Sequence, residues 1–403
     1  MAWRNIWRNK RRTFVILTAV FIGVTGMIFL AALMKGMVFS MVDNSIANLT
    51  GHVLIRNADF VSDPSVDNRL NGIDALMAKV KPLIPADASI VKRIKLEAMI
   101  NTARDSYGVT AVGTDIALEK GVSFIGDAEF EGERPSGEEV MIGRALSEKT
   151  GLGIGKRLVV SMQGADGDIA SASFRIKGIF RAGQKQLEES YVFIPYDALA
   201  KMLGINGAGT EISIHVPDRG VQSGEYDVLA AKIRGALAKT VSVMSWREVM
   251  PAMNAYLSVF DGFMLIWYIV IFMAMGFGIV NTVLMAVYER MREFGLLRAL
   301  GLKRSGVFKL VIGETSALIA TGLFAGNLAA LILIWIFSRV GINLSDFASG
   351  LDMYYISRII YPVFTLSDLI KADVTVFVLG VIIALYPAVK ACGFTPVRTM
   401  RNV

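Results

Sequence analysis

Four stretches of the chain contain no charged residue and are apolar almost throughout. They are residues 13–34, 262–288, 315–338 and 374–389, with lengths of 22, 27, 24 and 16 residues. A helix of roughly 20 apolar residues crosses the hydrocarbon core of a bilayer, so the first three are long enough to span it. The fourth can span if Asp373 and Lys390 at its ends extend to the interface. The pattern therefore predicts four transmembrane helices.

Short runs rich in β-branched and aromatic residues recur between the first and second predicted spans. They are residues 52–56, 93–100, 107–113, 157–163, 174–180, 191–195 and 211–216. Helical patterns lie among them, at "GRALSEKTGLG", whose glycines suit a helix C-terminus, and over 225–239. This mixture predicts an α+β domain of two lobes.

Basic residues near the span ends predict the orientation of the helices. Residues 2–12 hold five basic residues and no acid, residues 288–310 hold six against Glu289 and Glu293, and the tail from Lys390 holds three and no acid. These pieces are therefore expected in the cytoplasm, with a net charge of +12. The chain carries +7 in all, which leaves −5 outside them. Because the positive charge adjoins membrane spans, anionic lipid is the expected partner and nucleic acid is not.

These patterns together divide the chain into nine segments. The first span is expected to be retained as an anchor, since it is longer than the apolar core of a secretory signal. Trp3, Ile6 and Trp7 favour an interfacial helix before it, although a simple basic flank explains them equally well. The predicted segments are a cytoplasmic interfacial helix 1–12, spans at 13–38, 256–288, 311–338 and 374–390, an extracytoplasmic α+β domain 39–255, a cytoplasmic segment 289–310, a small extracytoplasmic loop 339–373 and a cytoplasmic tail 391–403.

No arrangement of catalytic or metal-binding residues stands out in the sequence. His52 and His215 are far apart along the chain and lie in predicted strands, which favours structural roles over a zinc site. The phrase "TGLGIGKRL" has Thr150 and Arg157 where a phosphate-binding loop needs glycine and Ser or Thr. Cys392 has no partner cysteine in the chain. We therefore expect a non-enzymatic membrane component without a cofactor of its own.

The stretch "YERMREFGLLRALGLKRSGVFKL" (288–310) joins the second and third predicted spans. Its pattern predicts a short amphipathic helix, a break at Gly301 and a second basic helix, although an ordinary basic loop would also satisfy the charge bias. Glu314 follows at the start of the third span, either paired near the interface with a neighbour such as Lys309 or active in coupling. Gly322 and Gly326 in that span have a spacing typical of close helix packing.

Several of these segments resemble the FtsX-like, MacB-type family of ABC transporter permeases, and most of all its lipoprotein-releasing (LolC/LolE) branch. The segment "NTVLMAVYERMREFGLLRALGLKRSGVFKLVIGETSALIATGLFAG" resembles the family's coupling region, and "YPAVKACGFTPVRTMR" its C-terminal end. "AWRNIWRNKRRTFVILTAVFIG" is similar to its N-terminus, and "GRALSEKTGLGIGKRLVVSMQ" with "YVFIPYDALAKMLG" is similar to its periplasmic core domain.

The resemblance implies a four-span permease in the bacterial inner membrane, with its large domain in the periplasm. Such a permease pairs with a second protomer and with two copies of a separate ATPase, which binds ATP and magnesium and drives periplasmic movement, a mechanism called mechanotransmission. The residues implied to dock on the ATPase are Glu289, Arg290, Arg292, Glu293, Gly295, Leu296, Leu297, Arg298, Ala299, Leu300 and Gly301.

The resemblance also implies lipoprotein release to a periplasmic carrier. Here the connection "MQGADGDIASAS" (162–173) is short and lacks proline and aromatic anchors, which departs from the long carrier-binding hook of that branch. Export of another substrate, as in MacB, or FtsX-like activation of a cell-wall hydrolase remain alternatives.

Overall fold

The computed structural model describes residues 10–102, 105–217, 224–344 and 359–393, without the side chains of 10–12. Two compact units divide these residues. The membrane unit holds the chain up to Val38, then Tyr256–Leu344 and the part from Ile359 onwards. The outer unit holds Phe39–Ala255.

The helices differ greatly in length between the two units. In chain order they are α1 (Lys10–Ala47), α2 (Ile73–Val80), α3 (Phe124–Asp127), α4 (Arg144–Thr150), α5 (Lys185–Ser190), α6 (Tyr196–Leu203), α7 (Glu225–Ala236), α8 (Trp246–Val249), α9 (Pro251–Glu289), α10 (Met291–Ala299), α11 (Arg304–Val340) and α12 (Leu366–Cys392). Among the described residues, α1, α9, α11 and α12 are long and apolar enough to cross a membrane. These helices extend beyond the predicted spans, whose membrane boundaries stay predictions.

The strands lie mainly in the outer unit. They are β1 (Val53–Asn57), β2 (Leu70–Asn71), β3 (Ser89–Asn101), β4 (Ser106–Thr114), β5 (Glu129–Gly132), β6 (Glu139–Gly143), β7 (Arg157–Gln163), β8 (Ile169–Arg181), β9 (Tyr191–Pro195), β10 (Ala208–Gly209), β11 (Glu211–His215), β12 (Val241–Ser245), β13 (Ile342–Asn343) and β14 (Ile359–Ile360). Every β-rich run predicted from the sequence overlaps one of them, and the runs 52–56 and 211–216 each extend one residue beyond their strand.

Six strands of the outer unit close a ring. β3 pairs with β4, and the pairing continues through β9, β6, β8 and β7 back to β3. Phe180, Phe193 and Met141 are buried in the core of this part, together with Val112. Ring closure leaves these strands few unpaired edges.

A second sheet shares β3 with the ring. The first half of β3 pairs with β11, which continues to β1 and then to β12, all antiparallel. The two lobes predicted for this domain therefore correspond to a strand ring and a four-stranded sheet joined through one long strand.

Small residues allow close packing in the membrane unit. A Cβ atom added to Gly322 would lie 2.7 Å or less from Val20 atoms, and one added to Gly326 would lie 2.9 Å from Val24. Real Cβ atoms do not approach so closely, so α1 and α11 need glycine at both positions. The close packing predicted from this glycine spacing is confirmed.

Candidate functional site

The segment between α9 and α11 folds as a helix and a glycine turn. α9 ends at Glu289, α10 occupies Met291–Ala299, and α11 begins at Arg304. Gly301 has φ +98°, a value that side-chain-bearing residues rarely adopt. The turn between α10 and α11 therefore depends on glycine at position 301, where the sequence predicted a break.

One face of α10 is buried in the membrane unit. Phe294 is 1% exposed and belongs to the same apolar cluster as Val287, Val307 and Val311, and Gly295 beside it is buried too. Of these two residues, only Gly295 is among those implied above to dock on the ATPase. Because both face the protein interior, their structural role is to seat α10 on its own bundle.

Arg290 joins the beginning of α10 to Glu314 of α11. Its Nε donates to Glu293 at 3.0 Å, and its Nη1 donates to Glu314 at 2.6 Å. The guanidinium also lies 5.2 Å from the centre of the Phe294 ring. Glu314 therefore pairs with Arg290, which is one of the predicted coupling residues. The expected pairing of Glu314 with a neighbour such as Lys309 is wrong. Arg290 and Glu314 are 24 positions apart in the sequence, so their contact could not be inferred from chain neighbours.

The end of α12 adds two further contacts. Arg298 Nη1 donates to the Cys392 carbonyl at 3.4 Å, and Cys392 Sγ donates to the Arg304 carbonyl at 3.3 Å. Each contact is weak individually, because the first is long for an N–H donor and the second has a weak S–H donor. They place the end of the last membrane helix beside both sides of the α10–α11 turn.

The opposite face of α10 presents leucines to solvent. The exposed fractions are 60% for Leu296, 37% for Leu297 and 77% for Leu300. Leu302, also 37% exposed, extends this surface although it was not among the predicted residues. Four leucines on so short a segment form an apolar surface of the kind that marks protein interaction sites.

The remaining predicted residues divide between these two faces. Glu289, Arg292, Ala299 and Gly301 are exposed, whereas Arg290, Glu293 and Arg298 are half-buried. The predicted set therefore contains an outward face, which can contact a partner, and an inward face, which attaches α10 to the bundle.

The outer unit holds a second notable site where α1 ends. Leu49, two residues after α1, is fully buried with φ +64° and packs with Phe180 and Phe193. Its carbonyl accepts a hydrogen bond of 2.6 Å from Arg93, which is itself fully buried. The chain is thus held at this point by both packing and a charged donor.

Arg93 is compensated by two buried carboxylates. Its guanidinium donates to both oxygens of Glu119 at 2.7 and 2.6 Å, and it lies 3.6 Å from Glu211. Burial alone would raise the pKa of Glu119, but the charge and hydrogen bonds of Arg93, with hydrogen bonds from Ser123 and Thr114, lower it. This site was missed, because its residues are separated by tens of positions in the sequence.

The two histidines are brought together in the outer unit. Their ring centres are 4.5 Å apart, and His52 stacks on Tyr226 at 4.4 Å. The backbone N–H of Val216 donates to His52 Nδ1 at 3.2 Å. Burial, and then the nearby His215, lower the pKa of His52 to about 3. Both rings are therefore neutral structural groups, and the described residues contain no cluster suited to a metal ion.

The connection that would carry a periplasmic hook is a tight hairpin. Pairing between β7 and β8 continues to Gln163 and Ile169, and the Gly164 N–H donates to the Asp168 carbonyl at 2.8 Å. Only five residues, 164–168, form the turn. The short connection expected from the sequence is confirmed.

Two family profiles match the chain. The FtsX-like permease C-terminal profile matches residues 265–396, and the MacB-like periplasmic core domain profile matches residues 13–226. The second match alone covers more than half of the 403 residues.

Curated relatives are similar at low identity. The chain is 21% identical over 282 residues to the lipoprotein-releasing system transmembrane protein LolC of Xylella fastidiosa, an alignment covering 66% of either chain. It is 22% identical to LolC of Neisseria meningitidis, covering 96% of this chain and 94% of the relative. The macrolide export ATP-binding/permease protein MacB of a Shewanella species is also 22% identical over 99% of this chain, which spans only 60% of that relative.

A solved structure of the periplasmic region of MacB from Actinobacillus actinomycetemcomitans aligns with 53% of this chain and 97% of its own, with a TM-score of 0.37 and 11% identity. The family profiles, together with four helices suited to membrane spans, decide the assignment. The chain belongs to the FtsX-like ABC transporter permeases with a MacB-like periplasmic core domain, and it is a multi-pass protein of the bacterial cytoplasmic membrane whose large domain lies in the periplasm.

Proposed function

We propose that this chain is the permease subunit of a mechanotransmission ABC transporter. Two permease protomers assemble with two copies of a separate ATPase, which binds ATP and Mg²⁺. The observation that carries the proposal is the exposed leucine face of α10, on a helix whose other face is buried in the membrane unit. An apolar helix face of this kind fits a groove on a partner protein.

The contacts of α10 provide a route for movement. A displacement of α10 by the ATPase would act on α11 through Arg290, which bonds Glu314 at 2.6 Å, and through the buried Phe294. Such a displacement requires that the ATPase bind two positions of α10 with different affinities, since equal affinity shifts no equilibrium. ATP binding and hydrolysis on the partner would supply that difference.

Movement would reach the periplasmic domain through α1 and the buried residues that follow it. α1 is one continuous helix from Lys10 to Ala47, and the carbonyl of Leu49, two residues after it, accepts a hydrogen bond from the buried Arg93. A buried and hydrogen-bonded segment opens locally less readily than an exposed loop, so a displacement of α1 would be passed on to the residues that enclose Leu49. The domain is thereby suited to move as a unit with α1.

Release of a lipoprotein, extracted from the membrane and passed to a periplasmic carrier, is the proposed activity. Similarity to proteins named LolC supports this cargo class. The five-residue β7–β8 turn does not support carrier binding at that position. This observation favours either a subunit whose protomer partner binds the carrier, or a second candidate function, export of another substrate as in relatives named for macrolide or pyoverdine export.

The docking surface is tested by placing a charge on it. Leu297→Asp in the purified permease–ATPase complex should abolish permease-dependent stimulation of ATP hydrolysis, because a carboxylate in an apolar groove is costly to desolvate. Leu118→Asp is the matched control, since Leu118 is a 57% exposed leucine of the outer unit. Retention of full stimulation by Leu297→Asp would overturn the docking assignment.

The cargo is tested separately. Purification of the tagged chain from its native membrane in mild detergent, followed by mass spectrometry, should recover a P-loop ATPase together with lipidated proteins. Recovery of the ATPase with a cell-wall hydrolase instead would establish the regulatory, FtsX-like function. Absence of any ATPase would overturn the transporter proposal as a whole.

A further inference from the structure

Asp373 and Asn327 meet inside the membrane unit, on α12 and α11. Asn327 Nδ2 donates to Asp373 Oδ2 at 2.7 Å. The second carboxyl oxygen of Asp373, Oδ1, and the amide oxygen of Asn327, Oδ1, are shielded from solvent and have no hydrogen-bond partner among the described residues. Two acceptors are therefore left without a donor, which is costly where no water is available.

Charged groups of the neighbouring helices do not compensate Asp373. Lys35 of α1 pairs with Asp368 at 2.8 Å, and Lys371 of α12 pairs with Asp261 of α9 at 2.5 Å. Within the part of the chain that the structure describes, no basic side chain forms an ion pair with Asp373. An ionised carboxylate here would be held by a single amide N–H, which is a poor exchange for its hydration.

We propose that Asp373 binds a proton and is a neutral acid in the folded protein. The acid O–H donates to Asn327 Oδ1, while Asn327 Nδ2 donates to the other carboxyl oxygen. One proton thereby supplies a donor, satisfies both unpartnered oxygens and removes the charge. The two side chains then form a cyclic acid–amide pair, and the proton is a ligand that joins α11 to α12.

The position of Asn327 gives the pair a structural consequence. The preceding residue, Gly326, packs against Val24 of α1, and its carbonyl accepts a hydrogen bond of 3.2 Å from Thr25. Positions 326 and 327 of α11 thus contact α1 and α12 in succession. Loss of the proton would weaken one of these two contacts while the other remained.

Infrared spectroscopy of the full chain in lipid vesicles at neutral pH tests the protonation directly. The difference spectrum between wild type and Asp373→Asn should show loss of a protonated carboxyl band. Asp368→Asn is the matched control, because Asp368 is paired with Lys35 and should contribute an ionised carboxylate instead. Detection of only an ionised carboxylate for Asp373 would overturn the proposal.

Thermal unfolding supplies a second, independent measurement. Asp373→Asn is neutral and keeps a donor for Asn327, so its Tm should stay within about 2 °C of wild type, whereas Asp373→Leu should lose at least about 4 °C. Equal losses in both variants would contradict the acid–amide pair. Stabilisation of wild type but not Asp373→Asn by sodium, relative to choline at equal ionic strength, would show that the oxygens hold a metal cation and not a proton.

Discussion

The two ends of the proposed transmission route are built differently. At the cytoplasmic end, α10 rests on one aromatic side chain and a half-buried ion pair, and it exposes leucines. At the periplasmic end, Leu49 and Arg93 are fully enclosed, and the guanidinium has hydrogen-bond partners on both a carboxylate and a carbonyl. A surface that engages a second protein needs exposed apolar area, whereas a point that bears load within one chain needs enclosed and fully paired groups.

The largest effect is expected at the enclosed end. Arg93→Met leaves Glu119 buried without its counter-charge and the Leu49 carbonyl without a donor, and removal of one member of a buried pair costs about 3–5 kcal/mol. Thermal unfolding of the full chain in detergent should show Tm falling by roughly 6 °C or more. A variant that fails to fold would also agree with a stabilising role of Arg93 at this site.

The control for that prediction is Arg144→Met. Arg144 bonds Glu131 at 2.6 Å, a distance like those of Arg93, but its side chain is 35% exposed. An exposed pair contributes only about 0–1 kcal/mol. If both variants lowered Tm equally, burial would not distinguish the two arginines, and the stabilising role of Arg93 at this site would lose its basis.

Only the cytoplasmic end could be predicted in part from the sequence. The leucine spacing predicts a short helix with an apolar face, and Gly301 predicts a break after it, so local pattern was sufficient for the helix itself. The family resemblance placed Arg290 among the docking residues. Helical periodicity could not correct this assignment, because it shows which residues share a face but not which face meets the protein. That information required Glu314, which lies on the next helix.

The contacts that hold Leu49 could not be predicted from the sequence, for a related reason. Leu49, Arg93 and Glu119 lie on separate elements, and each has an ordinary alternative as a turn residue, a strand-end charge and a surface acid. The closure of the strand ring by β3 and β7 is likewise a non-local pairing. Strands β6 and β12 were missed, although β1, β9 and β11 have the same length and were predicted, so strand length alone does not explain the difference.

Lowering the pH from 7 to 5 should destabilise the periplasmic domain. The expected loss lies between those of the other two stability predictions. Below pH 6.5 an unfolded His52 gains a proton, whereas burial and His215 lower its folded pKa to about 3 and keep it neutral. The unfolded state then binds more protons, so stability falls as pH falls, by about 2 kcal/mol between pH 7 and 5. Glu119 should not add to the pH dependence between 7 and 5. Because its pKa is lowered in the folded protein, its contribution to stability is kept above the ordinary carboxyl range.

His52→Gln sharpens the comparison, since glutamine retains an acceptor for the Val216 N–H but does not titrate. Its Tm should depend less on pH between 7 and 5 than that of wild type. Part of the dependence should remain, because burial also lowers the pKa of His215. An unchanged pH dependence would show that protonation of His52 does not govern the acid response of this domain.

The smallest effect on stability is expected at the cytoplasmic end, although its effect on coupling is large. Glu314→Gln retains an acceptor for Arg290, which also keeps Glu293, so the loss should be about 1 kcal/mol or less. ATP hydrolysis stimulated by the permease should nevertheless fall several-fold, because α10 could shift without moving α11. Lys309→Gln is the control, because Lys309 is exposed on the same helix and its replacement also changes the charge by one. It should leave both the stability and the stimulated ATP hydrolysis unchanged. A full stimulation by Glu314→Gln would mean that Phe294 alone links α10 to α11, and that the ion pair serves only to seat the helix.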